Sequence, residues 1–381
     1  MTKTAPKSSA AFAHVYAGKT VLLTGHTGFK GAWLSEWLLS LDAKLTGYSI
    51  DCEKQSLFNQ LKLAERMRGV RGDVRDLAAV TDLVSKLRPA FVFHLAAQPL
   101  VRQSYIDPVE TFTTNVTGSI NLMEAIRVSG HPCAVVMVTT DKCYENREIA
   151  YAYEETDPLG GHDPYSASKA AAEIAIGSYR KSFFAVQEPP RVALASARAG
   201  NVIGGGDWAE DRLVPDAIRA LQSNLEIGVR NKDATRPWQH VLDPLSGYLT
   251  LGAALGTALD SKSDPKFAHE VCSAFNFGPH SESNRSVAGV VDELLKHWPG
   301  KWIDCSDGAA PHEAGLLNLN IDEANRVLAW RPVWNFEEAV AQTVSWYRRT
   351  NGGEEALLLT QQQIAQYQSD AASHGLEWAQ P

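Results

Sequence analysis

The sequence predicts an α/β protein in which a doubly wound parallel sheet is followed by a smaller mixed α/β lobe. In the first 200 residues, short and almost continuously apolar runs alternate with longer segments of helical periodicity. Such alternation is typical of parallel strands that are covered by helices on both faces. After Arg198 the alternation ends, and glycine, proline and tryptophan become frequent. We therefore expect the second lobe to cover the carboxyl-terminal edge of the sheet.

Apolar runs and helical periodicity predict the individual elements. Six β-rich runs predict strands at residues 20–24, 44–50, 67–70, 91–95, 134–140 and 192–197. The first helix is predicted from apolar residues that share one helical face between Trp33 and Leu41. The same pattern predicts further helices at residues 77–87, 118–129, 213–222, 287–298, 336–348 and 354–366.

Composition and charge argue against several classes of protein. The chain has 381 residues, of which 44% are hydrophobic, and a formal net charge of −8. An acidic balance without long basic runs argues against nucleic acid binding, and no run of eighteen apolar residues is present to span a membrane. Five widely spaced cysteines without a C-x-x-C pair predict neither a metal site nor a disulfide framework, as expected of a cytoplasmic protein.

A glycine-rich turn between the first strand and the first helix predicts a dinucleotide site of the Rossmann type. Gly25, Gly28 and Gly31 are placed so that the backbone can approach a pyrophosphate at the N-terminus of the helix. Asp51 ends the second strand, twenty residues after Gly31. A carboxylate there accepts hydrogen bonds from ribose hydroxyls and repels a 2′-phosphate, which predicts NAD rather than NADP as the cofactor.

Further cofactor contacts are expected along the same edge of the sheet. Asp73 follows the third strand, where its carboxylate would accept a hydrogen bond from the adenine amino group. The small residues Ala96 and Ala97 follow the fourth strand and would let the cofactor pass close to the backbone. The predicted cofactor residues are Gly25, Thr27, Gly28, Phe29, Lys30, Gly31, Asp51, Asp73, Val74, Leu95, Ala96, Ala97, Tyr165, Lys169 and Arg198.

These elements divide the chain into four predicted segments. Residues 1–16 are rich in Ala, Ser and Lys and are expected to form a disordered leader. Residues 17–200 form the expected NAD-binding domain. Residues 201–350 form the second, substrate-binding lobe, with some segments returning to the first sheet. Residues 351–381 are expected to form a peripheral helix and tail.

Tyr165 and Lys169 have the spacing of a proton-transfer pair. They lie four residues apart, so they share one face of a helix. A lysine ammonium beside a phenol favours the phenolate, and we therefore expect the pKa of Tyr165 to lie below its usual value of about 10. The phenolate would take a proton from a substrate hydroxyl while the cofactor accepts a hydride.

Three reactive side chains follow one another at the end of the fifth strand. Thr140, Asp141 and Lys142 lie at the edge of the sheet where ligands bind. Oxidation of an alcohol needs only the tyrosine, the lysine and a hydrogen-bonding hydroxyl. The additional acid and base therefore predict further proton transfers, such as those needed to eliminate water.

Taken in order, the motifs of the chain resemble those of the CDP-glucose 4,6-dehydratases, which belong to the extended short-chain dehydrogenases. The resemblance runs from about residue 17 to about residue 348. It rests on five segments: GHTGFKG at 25–31, TDKCY at 140–144, DPYSASK at 163–169, RAGNVIG at 198–204 and RPWQHV at 236–241. Their combination is more specific than any single motif.

The resemblance implies that CDP-glucose is converted to CDP-4-keto-6-deoxyglucose with no net redox change. NAD would take the C4 hydride, water would leave across C5 and C6, and the hydride would return to C6. Tyr165 would deprotonate the C4 hydroxyl, Thr140 would hydrogen-bond the C4 oxygen, and Asp141 would protonate the departing C6 hydroxyl. Where the dTDP-glucose branch has a glutamate as the C5 base, this chain has Lys142, which must be neutral to act as a base.

Substrate contacts and subunit pairing are also expected. The Arg236 guanidinium suits a diphosphate because it can form two parallel hydrogen bonds. The resemblance implies a homodimer, or else a dimer of dimers, paired through helices within residues 100–129 and 166–184. The predicted substrate residues are Gln98, Arg102, Ser104, Asn201, Arg212, Arg236 and His240.

Two alternatives stay open at this point. One is another nucleotide-sugar 4,6-dehydratase or a 4-epimerase of the same superfamily. An epimerase does not need the acid–base pair Asp141 and Lys142, and a GDP-sugar dehydratase typically has a glutamate after the aspartate. The other is a non-catalytic NAD-sensing protein, which would keep the glycine turn but tend to lose Tyr165 and Lys169. Formation of a product distinguishes an enzyme from a sensor.

Overall fold

Seven parallel strands form the central sheet of the computed structural model, which describes residues 11–185, 189–306 and 316–380. In chain order these strands are β1 Thr20–Thr24, β2 Lys44–Ser49, β3 Arg68–Arg71, β4 Phe91–His94, β5 Cys133–Val138, β6 Val192–Ala199 and β7 Ala274–Phe277. Their order across the sheet is β7-β6-β5-β4-β1-β2-β3, and each neighbouring pair is parallel. The order reverses between β1 and β4. In open α/β sheets this is where ligands bind.

The six predicted strands are confirmed to within two residues at each end, whereas β7 was not predicted. It has only four residues and contains a polar side chain, Asn276, so it lacks a continuous apolar run. The Asn276 side chain is fully buried and is satisfied there by the hydroxyl of Tyr144 and by the carbonyl groups of Tyr153 and Asn320.

Nine longer helices cover the sheet within the described residues. They are α1 Phe29–Ser40, α2 Leu77–Leu87, α3 Gly118–Ser129, α4 Pro164–Tyr179, α5 Leu213–Gln222, α6 Leu242–Ala258, α7 Val287–His297, α8 Phe336–Asn351 and α9 Ala356–Ser373. Helix α6 was not predicted, because it is buried around most of its circumference and so has no amphipathic pattern to detect.

Shorter elements connect the sheet to the second lobe. Five short α-helices lie at Leu57–Gln60, Val101–Ile106, Pro108–Phe112, Pro265–Val271 and Asp322–Leu328. Single turns of 3-10 or π geometry lie at Ala11–His14, Leu63–Glu65, Thr113–Thr117, Asp141–Cys143, Arg180–Phe184, Ser281–Ser283 and Glu377–Ala379. Four small strand pairs join Ala152–Tyr153 to Asn318–Leu319, Val202–Ile203 to Gln239–His240, Ile227–Val229 to Trp302–Asp304, and Thr235–Pro237 to Asn284–Ser286.

Each face of the sheet has its own hydrophobic core, because alternate residues of a strand point to opposite faces. Leu22 of β1 packs with α2, α3 and α4 on one face. Its neighbours Val21 and Leu23 pack on the other face, in a larger core that includes α1, α6, α8 and α9. Segments late in the chain thus complete the core beneath the first helix.

The predictions for the two terminal segments, residues 1–16 and 351–381, are corrected by the structure. Residues 11–16, which we assigned to a disordered leader, are ordered: the Phe12 ring stacks on Trp378 with 4.9 Å between ring centroids, and the Tyr16 hydroxyl donates to the Leu249 carbonyl oxygen at 2.5 Å. Residues 1–10 of that segment lie outside the described residues. The C-terminal helix is not peripheral either, since Tyr367 of α9 is fully buried. A short aromatic segment at each end is enough to join the core, although neither has a long apolar run.

Within the part of the chain that the structure describes, no helix is both long enough and apolar enough to span a lipid bilayer.

We predict that Phe12→Ala lowers the free energy of unfolding by about 3 kcal/mol, because it removes a buried aromatic ring and leaves a cavity beside Trp378. Urea unfolding measures the loss, and His14→Ala serves as an exposed control on the same turn. An unchanged unfolding midpoint for Phe12→Ala would show that the N-terminal segment does not belong to the core.

Candidate active site

The glycine-rich turn has the geometry of a pyrophosphate site. Gly25 has a φ of +73°, and a Cβ at this position would lie 2.7 Å from the Ala96 backbone nitrogen. A Cβ on Gly31 would overlap the Gly25 carbonyl oxygen. Gly28 is exposed at the N-terminus of α1 and has no side chain to cap the first helical N–H groups. These N–H groups have no partner within the helix, so the turn fits an anion such as the pyrophosphate of a dinucleotide.

The backbone of β4 closes this turn from the neighbouring strand. The Ala96 N–H donates to Thr24 Oγ1 at 3.2 Å, and the Leu95 N–H donates to the Thr24 carbonyl oxygen. Thr27 Oγ1 lies 2.8 Å from Ser49 Oγ at the end of β2. The carboxyl ends of three strands therefore meet at the glycine turn, which is where the sequence predicted the cofactor.

The acidic residues on the far side of the turn have partners that were not predicted. Asp51 lies directly after β2 and is exposed, and its carboxylate forms an ion pair with Arg71 at 2.6 Å. The Asp73 carboxylate is bound by Arg75 through its backbone N–H and its guanidinium, and these hydrogen bonds lower the pKa of Asp73. Val74 is buried in the core and presents no exposed side chain to a cofactor.

A capped helix positions Tyr165 and Lys169. Helix α4 begins after Asp163, whose carboxylate accepts hydrogen bonds from the N–H and the hydroxyl of Ser166, and Pro164 occupies its first turn. Such caps fix where a helix begins. Both reactive residues are therefore held on the first turns of α4, and both are buried.

Thr140 connects Tyr165 with Asp141. Thr140 Oγ1 is hydrogen-bonded to Asp141 Oδ1 at 2.9 Å and accepts from the Lys142 N–H at 3.4 Å. A hydrogen bond also joins the Thr140 and Tyr165 side chains. Asp141 is 1% exposed, and its Oδ2 has no hydrogen-bond partner among the described residues. One carboxyl oxygen thus remains available for a ligand.

Burial controls the ionisation of these groups. Burial raises the pKa of Asp141 even though Lys142, Thr140, Arg236 and Lys30 all act to lower it. Burial also raises the pKa of Tyr165 to about 12, so the predicted lowering by Lys169 is wrong for this structure. The pKa of Lys169 itself is lowered to about 8 by burial.

Comparison of the sequence with known proteins identifies the family. Residues 22–261 match the family model described as GDP-mannose 4,6 dehydratase. The CDP-glucose 4,6-dehydratase of Salmonella typhimurium is 43% identical over 360 residues, which cover 93% of this chain and 97% of that protein. The chain belongs to this family of nucleotide-sugar 4,6-dehydratases.

Solved structures show the same fold at lower identity. A dTDP-glucose 4,6-dehydratase from Streptomyces venezuelae superimposes with a TM-score of 0.72 at 21% identity, covering 89% of this chain and 99% of that one. A UDP-glucose 4-epimerase from Thermotoga maritima gives a TM-score of 0.72 at 20% identity, covering 87% of this chain and 99% of that one. Dehydratases and epimerases thus share this architecture, and only the side chains of the site distinguish them.

Two predicted substrate residues of this family member lie near the catalytic groups. Arg236 is 5% exposed and lowers the pKa of Asp141 through its charge. Arg212 lies at the N-terminus of α5, pairs with Asp207 at 2.9 Å and acts electrostatically on Tyr165. These guanidinium groups provide positive charge beside the acid, as a diphosphate requires.

Other predicted substrate residues have structural partners. Ser104 is fully buried and donates to the Val101 carbonyl oxygen, and His240 is fully buried between Trp33 and Trp334. Both side chains are packed in the protein interior in this structure, and their contact with a substrate stays a prediction. Motif position identified these residues, but it did not show which way their side chains point.

Three other predicted residues follow strands of the sheet: Gln98 and Asn201 on loops, and Arg102 in the short helix Val101–Ile106. The Gln98 amide donates to Thr111 and to the Leu100 carbonyl oxygen, and Arg102 forms an exposed ion pair with Asp211 at 3.0 Å. Asn201 follows β6 and is half-buried. Gln98 and Arg102 are thus engaged with neighbouring protein groups.

Lys30 of the glycine turn interacts with the catalytic groups as well as with the cofactor site. Its pKa is lowered to about 8, first by burial and then by the positive charges of Arg212 and Lys169, while Asp141 and Asp207 act in the opposite direction. The sequence predicted Lys30 only as part of the cofactor turn. Its position on the first turn of α1 brings a second amine, besides Lys142, near Asp141.

Arg198 does not lie where the sequence predicted it. We expected a cofactor contact, but its guanidinium is buried and forms an ion pair with Glu173 at 2.8 Å. Glu173 was not predicted at all. The signal was present in the helical spacing, since Glu173 follows Lys169 by four residues and so lies on the same face of α4.

Proposed function

We propose that the protein is a CDP-glucose 4,6-dehydratase that converts CDP-D-glucose to CDP-4-keto-6-deoxy-D-glucose with NAD as its cofactor. The observation that carries this proposal is the buried group formed by Tyr165, Thr140 and Asp141, with Lys142 next in the chain. The choice of CDP-glucose follows the relative of 43% identity, which carries that substrate in its name.

NAD supplies an acceptor for the C4 hydride, which is returned to C6 later in the cycle. The cofactor fits the glycine turn, where Gly28 leaves the first N–H groups of α1 uncapped and Gly25 allows close approach of β4. Asp51 would bind the adenosine ribose from the end of β2, and Arg71 orients its carboxylate.

Tyr165 accepts the proton of the C4 hydroxyl as the sugar is oxidised. The hydrogen bond between Tyr165 and Thr140 and the positive charge of Arg212 both lower the pKa of Tyr165 and oppose the effect of burial. Lys169 lies one helical turn away on the same face of α4. The resulting C4 ketone makes the C5 proton acidic.

Asp141 acts as the acid that protonates the departing C6 hydroxyl. Because burial raises the pKa of its carboxyl, the protonated form persists to higher pH than that of an exposed aspartic acid. The proton is transferred to the C6 oxygen as the C6–O bond breaks, and water leaves. Lys142 follows Asp141 directly and is proposed as the base that removes the C5 proton and gives a proton back to C5 when the hydride is returned to C6.

The first prediction concerns the reaction and its base specificity. With NAD present, the protein is expected to remove one water from CDP-glucose and to leave UDP-glucose, dTDP-glucose and GDP-mannose unchanged. Mass spectrometry detects the loss of water, and the alkali-induced absorbance of a 4-keto-6-deoxy sugar confirms the product. A product of unchanged mass would mean epimerisation, and turnover of none of the four sugars would favour a non-catalytic NAD-binding protein.

A second prediction separates oxidation from elimination. Lys142→Met should still oxidise C4 but should stall before water is lost, because the C5 proton has no base. Reduced nicotinamide should therefore accumulate on the enzyme, with product formation reduced by about 100-fold or more. Absorbance and fluorescence of the bound cofactor follow the first step, and mass spectrometry follows the second. Lys232→Met, on an exposed loop, is the control, and full activity of Lys142→Met would remove this lysine from the mechanism.

We further propose a homodimer that pairs through α4 and the helices before α3. Large apolar side chains are exposed together on these helices: Ile106 is 76% exposed, Val109 is 70% exposed and Ile174 is 62% exposed. Phe112 is partly exposed on one of these helices, and Phe183 is partly exposed on the turn Arg180–Phe184 that follows α4. Contiguous apolar surface of this kind is typical of subunit interfaces.

Replacing this apolar surface should separate the subunits. Val109→Asp combined with Ile174→Asp is expected to yield monomers, because the interface would have to bury two carboxylates. Size-exclusion chromatography with light scattering measures the mass. Leu225→Asp is the control, since Leu225 is 65% exposed outside these helices. A wild-type protein that is monomeric at micromolar concentration would contradict the proposal.

The cysteines favour the cytoplasm as the site of action. All five are unpaired in the structure, and two of them, Cys133 and Cys143, are fully buried as thiols. Proteins that function in reducing compartments usually keep their cysteines in this form.

A further inference from the structure

A fully buried carboxylate lies on the helix that carries Tyr165 and Lys169. Glu173 accepts three hydrogen bonds: from Thr139 Oγ1 at 2.5 Å, from Ser196 Oγ at 2.9 Å and from an Arg198 guanidinium nitrogen at 2.8 Å. These donors come from the end of β5 and from β6, whereas Glu173 belongs to α4. The carboxylate therefore joins three elements of the site.

Arg198 is itself fixed from several directions. Its guanidinium donates to the Tyr144 hydroxyl at 2.8 Å and to the Glu155 carbonyl oxygen at 3.0 Å, and it lies over the Tyr144 ring. Burial alone would raise the pKa of Glu173, but Arg198 and the hydrogen bonds from Thr139 and Ser196 lower it. The carboxylate is thus kept ionised in a place without water.

Glu173 lies on the same face of α4 as both reactive residues. Tyr165, Lys169 and Glu173 follow one another at intervals of four residues, which places each about one turn from the next. Lys169 has few partners of its own, since its ammonium reaches only the Val138 carbonyl oxygen, at 3.4 Å, among the hydrogen bonds in the described structure. A negative charge one turn away is its nearest electrostatic support.

We propose that Glu173, fixed by Arg198, Thr139 and Ser196, is a positioning residue that keeps the Lys169 side chain charged on the face of α4 that it shares with Tyr165. This inference rests on the dehydratase function proposed above, because it assigns a role within the same catalytic group. It adds a residue that touches neither substrate nor cofactor and acts through Lys169.

The other charges around Lys169 do not replace Glu173. Burial lowers the pKa of Lys169, and Glu173 is the main group that raises it, followed by the Cys143 thiol. His94 of β4 is neutral because burial and Lys169 lower its pKa to about 3. Lys30 of α1 faces the same region with a positive charge that repels Lys169.

Charges around Glu173 complete the electrostatic environment. Besides Arg198, the Arg180 guanidinium at the end of α4 interacts with the Glu173 carboxylate. Removal of the negative charge would therefore leave positive groups from β6 and α4 without their partner. The lost negative charge and the unpaired positive groups both make the ammonium form of Lys169 less favourable.

The test is the pH dependence of kcat/KM for the nucleotide sugar that the wild-type enzyme dehydrates. In Glu173→Gln, Lys169 should lose its proton at lower pH, so the alkaline limb of the profile should move down by about one pH unit. Ser196→Ala is the matched control, because it removes a hydrogen bond to the same carboxylate and leaves the charge, and its alkaline limb should move much less than that of Glu173→Gln. Glu173→Asp keeps the charge and should return the limb toward the wild-type position.

A double variant keeps the test valid if Glu173→Gln does not fold. Glu173→Gln combined with Arg198→Met removes both charges of the buried ion pair together, a change that proteins often tolerate. It should show the same downward shift of the alkaline limb. Unshifted limbs in both the single and the double variant, with lowered thermal stability alone, would overturn the proposal and leave Glu173 a purely structural role. A wild-type enzyme that dehydrates no nucleotide sugar would instead refute the function itself.

Discussion

Exclusion of water from the carboxyl ends of β5 and β6 controls the chemistry that this site can perform. In water, an aspartic acid and a lysine differ in pKa by about six units, so proton transfer between them is strongly one-sided. Burial raises the pKa of Asp141 and lowers the pKa values of Lys169 and Lys30 to about 8. The pKa values of the acid and of the amines therefore lie closer together than they do in water. A reaction that transfers protons at the C4 hydroxyl, at C5 and at the C6 hydroxyl needs groups whose pKa values are matched in this way.

Packing from late in the chain keeps this site dry and fixes the helix that carries the glycine turn. The Trp33 indole of α1 donates to the Gly205 carbonyl oxygen at 2.9 Å, and the Trp346 ring of α8 packs against Gly205 so closely that no side chain would fit there. Asp243 at the start of α6 accepts hydrogen bonds from the Tyr367 hydroxyl and from the Val333 N–H. The second lobe and the C-terminal helix thus support α1 from behind, so residues beyond 200 contribute to the cofactor site without touching it.

The backbone of the site could be predicted from the sequence more completely than its side chains. Buried parallel strands need mostly apolar runs, and β1, β4, β5 and β6 have them, whereas β3 reads RGVR and is mostly exposed at the edge of the sheet. The glycine turn and the helix that begins at Pro164 follow from local rules for φ and for helix caps. Helix α6 and strand β7 have no such local signature, because one is buried nearly all round and the other is four residues long with a polar centre.

The direction of a side chain could not be predicted from the sequence where its partner is distant in the chain. His240 and Ser104 are fully buried although their motifs suggested substrate contacts, and Arg198 pairs with a glutamate twenty-five residues before it. The pKa of Tyr165 was predicted in the wrong direction for the same reason. Spacing showed the nearby lysine, but only the fold shows how completely the phenol is removed from water.

Helix α4 contacts two consecutive residues at the end of β5. The positioning residue and the reactive phenol are therefore held by the same helix and the same strand. Thr139 binds Glu173 of α4, while Thr140 binds Tyr165 of the same helix. Eight residues separate Tyr165 from Glu173, which is about 12 Å along a helix. Two attachments this far apart resist both sliding and tilting of α4 relative to the strand. The distances among Tyr165, Thr140 and Asp141 are therefore fixed by contacts that no substrate has to supply, which lowers the entropic cost of assembling the reactive geometry.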